Sequence, residues 1–327
     1  MPVTLEFLDP NGKLIKKYTS RATETKPSVR ADAQPQATPN AQAQTAAAAQ
    51  GTQEGQSSQS TSPQPASQVP GTGAPTQTPP DQPQAPSGEE VQAAPEEGRA
   101  SRVSTDAGLN RFVWDMRYQD ATRFPGLILW AGDVRGPRVA PGLYQVRLTV
   151  NNQTTTQSFL VKKDPRLATT PEDFAKQAEL LLKIRDKLTE THNAILEIRN
   201  VRKQTDDLVK RVQGQSNARV IADAAKALNA KLTTIEEQLY QTKNQSSQDP
   251  LNYPIRLNNR LAALAEVAGS ADAAPTAQTY VVYDEVTGQI NGQLQALNQI
   301  MRTELTAFNQ LVRDQNIPAI VVKSAGN

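Results

Sequence analysis

Side chains that could do acid–base, nucleophilic or metal chemistry are few in this sequence, and their spacing does not suit them to it. His192 is the one histidine, and there is no cysteine. A Ser-His-Asp triad and most zinc sites need a histidine beside defined partners. Glu190-Thr191-His192-Asn193 is not a metal motif, so His192 reads as a surface or inter-helix residue. The lack of cysteine excludes disulfides, thiol catalysis and Cys-ligated metals. Asp206-Asp207 and Glu236-Glu237 are paired carboxylates with Lys and Arg nearby. General acid–base work needs one carboxylate in an apolar pocket, so both pairs read as solvated-face charges. No glycine-rich phosphate loop occurs.

Two stretches keep a binding interpretation. Trp114-Asp115-x-Arg117 sets an aromatic ring beside a carboxylate and a guanidinium, which is the make-up of a sugar-binding constellation; its competitor is Trp114 as a core residue. Trp130 and Tyr118 are further rings that would stack on sugars if exposed. The amide- and hydroxyl-rich stretch 244–259 holds Pro250 and Pro254. Its side chains can satisfy backbone groups freed between two helices, or line a contact site for another domain. The contact candidates are therefore Trp114, Asp115, Arg117, Trp130, Asn252, Tyr253 and Arg256. No catalytic residue, metal ligand or cofactor is expected.

The elements that must position these residues fall into two kinds. Val3, Leu5 and Phe7 alternate with Thr4 and Glu6, and Asp9-Pro10-Asn11-Gly12 marks a turn before Leu14, Ile15 and Tyr18, which predicts a β-hairpin. Between about Ser20 and Thr105 there is no Phe, Trp, Tyr, Leu or Ile. Such a segment cannot bury enough apolar surface to offset its chain entropy, so it is expected to be disordered. Apolar residues return at Leu109, Phe112 and Trp114, continue in Leu127-Ile128-Leu129-Trp130, and alternate through Tyr144, Val146, Leu148 and Val150; Thr154 to Val161 returns after the Asn151-Asn152 turn. Together with the first hairpin this predicts a small β-sandwich carrying a long surface insertion, because loop-closure entropy grows only slowly with length.

After Asp164-Pro165 the apolar period becomes helical. Thr170-Pro171-Glu172-Asp173 is a helix start, and Leu181, Ile184, Leu188, Ile195 and Ile198 carry the helix to about Val212, ahead of Gly214. Ile221, Ala225, Leu228, Leu232, Ile235 and Leu239 form a heptad seam. After the proline-bearing break, a shorter helix carries Leu257, Leu261, Leu264 and Val267. A last helix opens at Pro275, runs through Tyr283, Ile290, Leu294, Leu297, Met301, Leu305, Phe308 and Val312, and is stopped by Pro318.

The expected architecture is multidomain, β followed by α. Residues 1–19 and 107–165 form the sandwich, 20–106 the disordered insertion, 170–315 an antiparallel bundle of three legs or four helices, and 316–327 a tail. Among 327 residues, hydrophobic types make up 37% and aromatic types 5%, so only part of the chain can build a core. A net charge of +2, from 35 basic and 33 acidic residues, gives no concentrated basic stripe for nucleic acid. No apolar run reaches the length of a membrane span, and the N-terminus lacks the pattern of a secretory signal.

Two resemblances rest on these residues. The first hairpin, Phe112-Val113-Trp114-Asp115 and Ala140-Pro141-Gly142-x-Tyr144-x-Val146 resemble the immunoglobulin-like module of flagellar hook-capping proteins. This chain departs from that pattern by its insertion and by Asp115-Met116-Arg117, where the module often has a glycine-containing turn. Residues from about 109 to 313 are similar to the C-terminal region of bacterial Asp-box (BNR-type), sortilin-like β-propeller proteins often labelled glycosyl hydrolases. The similarity is carried by Trp114-Asp115-Met116-Arg117-Tyr118, Phe124-Pro125-Gly126-Leu127, Leu180 to Leu188 and Gln245 to Leu257. It implies an exported, non-enzymatic accessory module whose partner is an upstream propeller in cis or another protein, with Met1 an alternative start or the edge of a fragment. No Asp-box occurs in this chain, so the propeller's presumed activity falls on no residue here. A carbohydrate-binding module and a helical oligomerisation device are the alternatives.

Overall fold

The computed structural model of the chain describes residues 2–20 and 102–317. Most of the segment expected to be disordered (21–101) and residues 318–327 of the tail, with Pro318, lie outside the described residues. Four strands, β1 (Val3–Leu8), β2 (Leu14–Thr19), β3 (Gly142–Val150) and β4 (Gln153–Val161), form one antiparallel sheet in the order β2-β1-β3-β4. The alternation read in β1 and β3 faces Leu5, Phe7, Tyr144 and Val146 onto a shared core with Ile15 and Tyr18 of β2. The Asn151-Asn152 turn between β3 and β4 uses positive φ at both residues, the conformation a two-residue hairpin requires.

A sandwich would set a second sheet over this face. Among the described residues the cover is irregular chain instead: Val103, Phe112, Trp114, Tyr118 and Val139 pack on the sheet core. Residues 121–134, expected to belong to the β region, pack elsewhere. Ala121, Phe124 and Val134 are buried in the helical core, with Leu127 and Leu129 against it. The apolar run that reads as a strand is thus an extended strap across helices. Periodicity cannot separate the two, because both bury a short apolar segment.

Among the described residues five α-helices follow: α1 (Pro171–Val212), α2 (Ala218–Leu239), α3 (Leu257–Ala268), α4 (Ala277–Arg302) and α5 (Glu304–Asp314). α1 starts where its sequence demands. Thr170 is the N-cap: its hydroxyl accepts from Asp173 N at 3.2 Å, and the Asp173 carboxylate reaches back to Thr170 N. It ends before Gly214, whose φ of +86° suits a helix stop. All six seam residues of α2 are buried. Asp249 organises the break after α2, accepting from Gln245 N, Ser246 N and the Ser246 hydroxyl.

The last helix differs from expectation in three ways. Its cap is Thr276. It is interrupted at Thr303, whose hydroxyl bonds back to Gln299 O at 2.8 Å, a local competition that bends helices. It stops at Asn316 in the left-handed conformation (φ +50°), ahead of Pro318. α1 packs against α2, α3 and α4, and α5 closes on α2 and α4. Val267 of α3, expected in the core, points to solvent.

Candidate functional site

Sheet and helices belong to one compact unit, and the chain between them forms a two-legged ribbon. Tyr118 N donates to Pro137 O, Val139 N to Met116 O and Ala121 N to Val134 O, so residues 116–121 run antiparallel to 134–139. Arg117 and Arg138 sit directly opposite each other. Gly136 allows the close approach: a Cβ there would lie 2.5 Å from Tyr118 C and 2.8 Å from Gln119 O. Met116 holds φ at +54°, the left-handed region that favours glycine. Backbone strain of this kind gathers at functional sites.

The ribbon walls a cleft of about 620 Å³ between the end of β4 and helices α1 and α3. Val134, Val139, Leu181 and Ile184 are among its apolar lining; Arg117, Arg135, Arg138, Lys162, Lys163 and Arg185 are its cations. Asp133, Asp164, Glu266 and Asp272 also line it. Asp133 is paired with Arg135, and Asp164 with Arg166. Lys163 Nζ donates to the carbonyls of Leu167 and Thr169. Arg117 donates to Gly136 O at 2.9 Å. Burial, and then the guanidiniums of Arg135 and Arg138, hold Arg117 below its ordinary pKa. Neither Arg138 nor Lys162 is ion-paired with a described carboxylate. Arg185 is paired with Asp186, and the six cations against four carboxylates leave a cationic excess over an apolar floor, which suits an anionic visitor with an apolar body.

The seven contact candidates separate. Arg117 lines the cleft. Trp114 is packed in the sheet core, stacked on Phe7 at 4.2 Å and edge-on to Tyr144 and Phe159, so it is not an open platform for a sugar ring. Asp115 pins the ribbon to β2, accepting from Lys16 Nζ at 2.7 Å and Tyr18 OH at 3.2 Å. That carboxylate, after burial, raises the Tyr18 phenol above its ordinary value. Trp130, 38% exposed, lies on the strap, where its backbone N–H and C=O are both taken by the Asn259 side chain. Asn252 and Tyr253 are exposed on the loop before α3, and Arg256 is the α3 N-cap residue.

Two of the residues weighed for chemistry clamp the strap or the helices. His192 is fully buried between α1, α3 and the strap. Its Nδ1–H donates to Thr122 O at 2.5 Å, so Nε2 accepts from the Asn258 amide at 3.2 Å. Burial pushes its pKa down to about 4, against the pull of the Thr122 bond. Glu236 corrects the solvated-face reading. It is 1% exposed and holds Arg199 at 2.6 Å and Arg202 through its two oxygens, whereas Glu237 faces water. Arg199 also donates to Pro125 O and lies 4.7 Å from the Phe124 ring centre. Tyr240 OH completes the clamp, donating to Gly126 O and accepting from Ile128 N.

Sequence reasoning missed Arg135, Arg138 and Lys162. The available signal was Arg135-Gly136-Pro137-Arg138, two cations around a turn just ahead of a strand. No protein-family model, curated protein or solved structure matches the chain.

Proposed function

We propose that this chain is a non-catalytic interaction module that grips an acidic, partly apolar segment of a partner protein in the ribbon cleft. The supporting observation is the trio Arg117, Arg135 and Arg138 set over an apolar floor, with Arg138 and Lys162 lacking acidic partners among the described residues. In this reading the helices and strap form a rigid base that holds the ribbon. The finer architecture read from sequence, an Ig-like module joined to an antiparallel three-leg bundle, and the role of accessory region to an exported Asp-box propeller, belong to the same proposal; the propeller would supply the partner segment in cis.

The test is fluorescence anisotropy of the full chain with a labelled peptide alternating glutamate and leucine. Saturable binding that weakens with salt and falls at least tenfold on Arg138→Glu, with an unchanged thermal melt, is the expected result. Absence of binding at millimolar protein, or equal binding by the variant, rejects the reading.

A further inference from the structure

The two edges of the sheet are treated differently. The β2 edge is covered: Gln119 N donates to Ile15 O, Val103 N to Thr19 O, and Asp115 clamps Lys16 and Tyr18. Among the described residues the β4 edge pairs only with β3, and Gln153–Ser158 are all exposed. Folded proteins blunt open edges with lysine, proline or a bulge. β4 has none of them: residues 151–161 contain no charge and no proline, and the β3–β4 register runs unbroken from Gly142↔Val161 to Val150↔Gln153. Counting from the closing pair Val150↔Gln153, the alternation of an antiparallel ladder turns the backbone N–H and C=O of Thr154, Thr156, Ser158 and Leu160 outward. The Thr149 and Thr154 hydroxyls, 3.0 Å apart across the next pair, fit that count.

We infer that β4 is a self-association edge, pairing antiparallel with β4 of a second copy about a two-fold axis at Thr156. A second copy suits the edge better than a charged partner strand because the strand is neutral, so self-pairing brings no like charges together. With the axis at Thr156, Thr154 meets Ser158 of the second copy and Thr156 meets itself, small hydroxyl-bearing pairs that sheets tolerate well. The three outward pairs would exchange about six backbone hydrogen bonds. Lys162 and Lys163 lie beyond the paired stretch.

The absence of cysteine makes the geometry directly testable in the full chain. A Thr156→Cys variant would bring two Cα atoms to about 5.5 Å, inside disulfide range. Mild oxidation should yield a covalent dimer, while Val281→Cys, exposed on α4, should not. Light scattering should give twice the chain mass at high micromolar concentration, halved by Thr156→Lys without loss of the helical circular dichroism signal, and unchanged by Arg138→Glu. A monomeric wild-type chain, whatever covers the edge, overturns the proposal. So does a dimer that survives Thr156→Lys, or Thr156→Cys cross-linking no faster than the Val281 control.

Discussion

The buried His192 predicts a pH dependence of stability that can be worked out in advance. Its imidazole is neutral in the folded chain, with Nδ1–H given to Thr122 O and Nε2 facing the Asn258 amide. Burial disfavours a second proton on the ring, and the folded pKa lies at about 4 against an ordinary 6.5. Above pH 6.5 the ring is neutral in both states and has no effect. As pH falls below that, the unfolded chain takes up a proton the folded chain refuses, so stability drops until the folded pKa is reached. Each pH unit in the window removes about 1.4 kcal/mol, so a change from pH 7.5 to 4.5 removes roughly 2.5 kcal/mol. Carboxylates held low in the folded state, such as Glu6 with Arg147 and Lys17, lose their contributions mainly below this window. Urea unfolding followed at 222 nm across pH 8 to 4, for the wild type and His192→Gln, isolates the effect as a difference between two curves. Because the chain has one histidine, its imidazole proton resonance reports the folded pKa directly. Parallel curves, or a resonance titrating near 6.5, would refute the reasoning.

Three substitutions test the clamps and the ribbon. Glu236→Gln should cost about 2–3 kcal/mol in urea unfolding, less than a fully buried pair because Arg199 and Arg202 are partly solvated. Glu237→Gln, one residue along and exposed, should stay within about 0.5 kcal/mol. Gly136→Ala should force the ribbon legs apart, lowering stability by about 1–3 kcal/mol and weakening acidic-peptide binding, since Arg117 and Arg138 lose their shared register. Unchanged peptide affinity in that variant would detach the ribbon from the proposed function.

The helices were readable from the residues because their signals are local. The Thr170 cap, the Gly214 stop and the α2 seam each lie within a few turns of chain, and the apolar period marks the buried stripe. The β hairpins were equally readable, since alternation and an Asn-containing turn act over a dozen residues. Assembly was not. Tyr240 reaches Gly126 across 114 residues and Asn259 holds Trp130 across 129, contacts that no periodicity encodes. Those contacts place the 121–134 run on the helices, and the single sheet leaves its face to irregular chain.

The candidate site shows the same division. Arg117 was visible beside Trp114 and Asp115, but the fold sends these three neighbours to three tasks: cleft, core and clamp. Alternation within two residues sets which way a side chain points, whereas burial depends on what packs against it. Glu236 and Glu237 make the point most simply. The two acids read alike as a charged pair, but Glu236, four residues after Leu232 and three before Leu239, shares the buried stripe of α2, and only the packing of α1 brings Arg199 and Arg202 to it while Glu237 faces water.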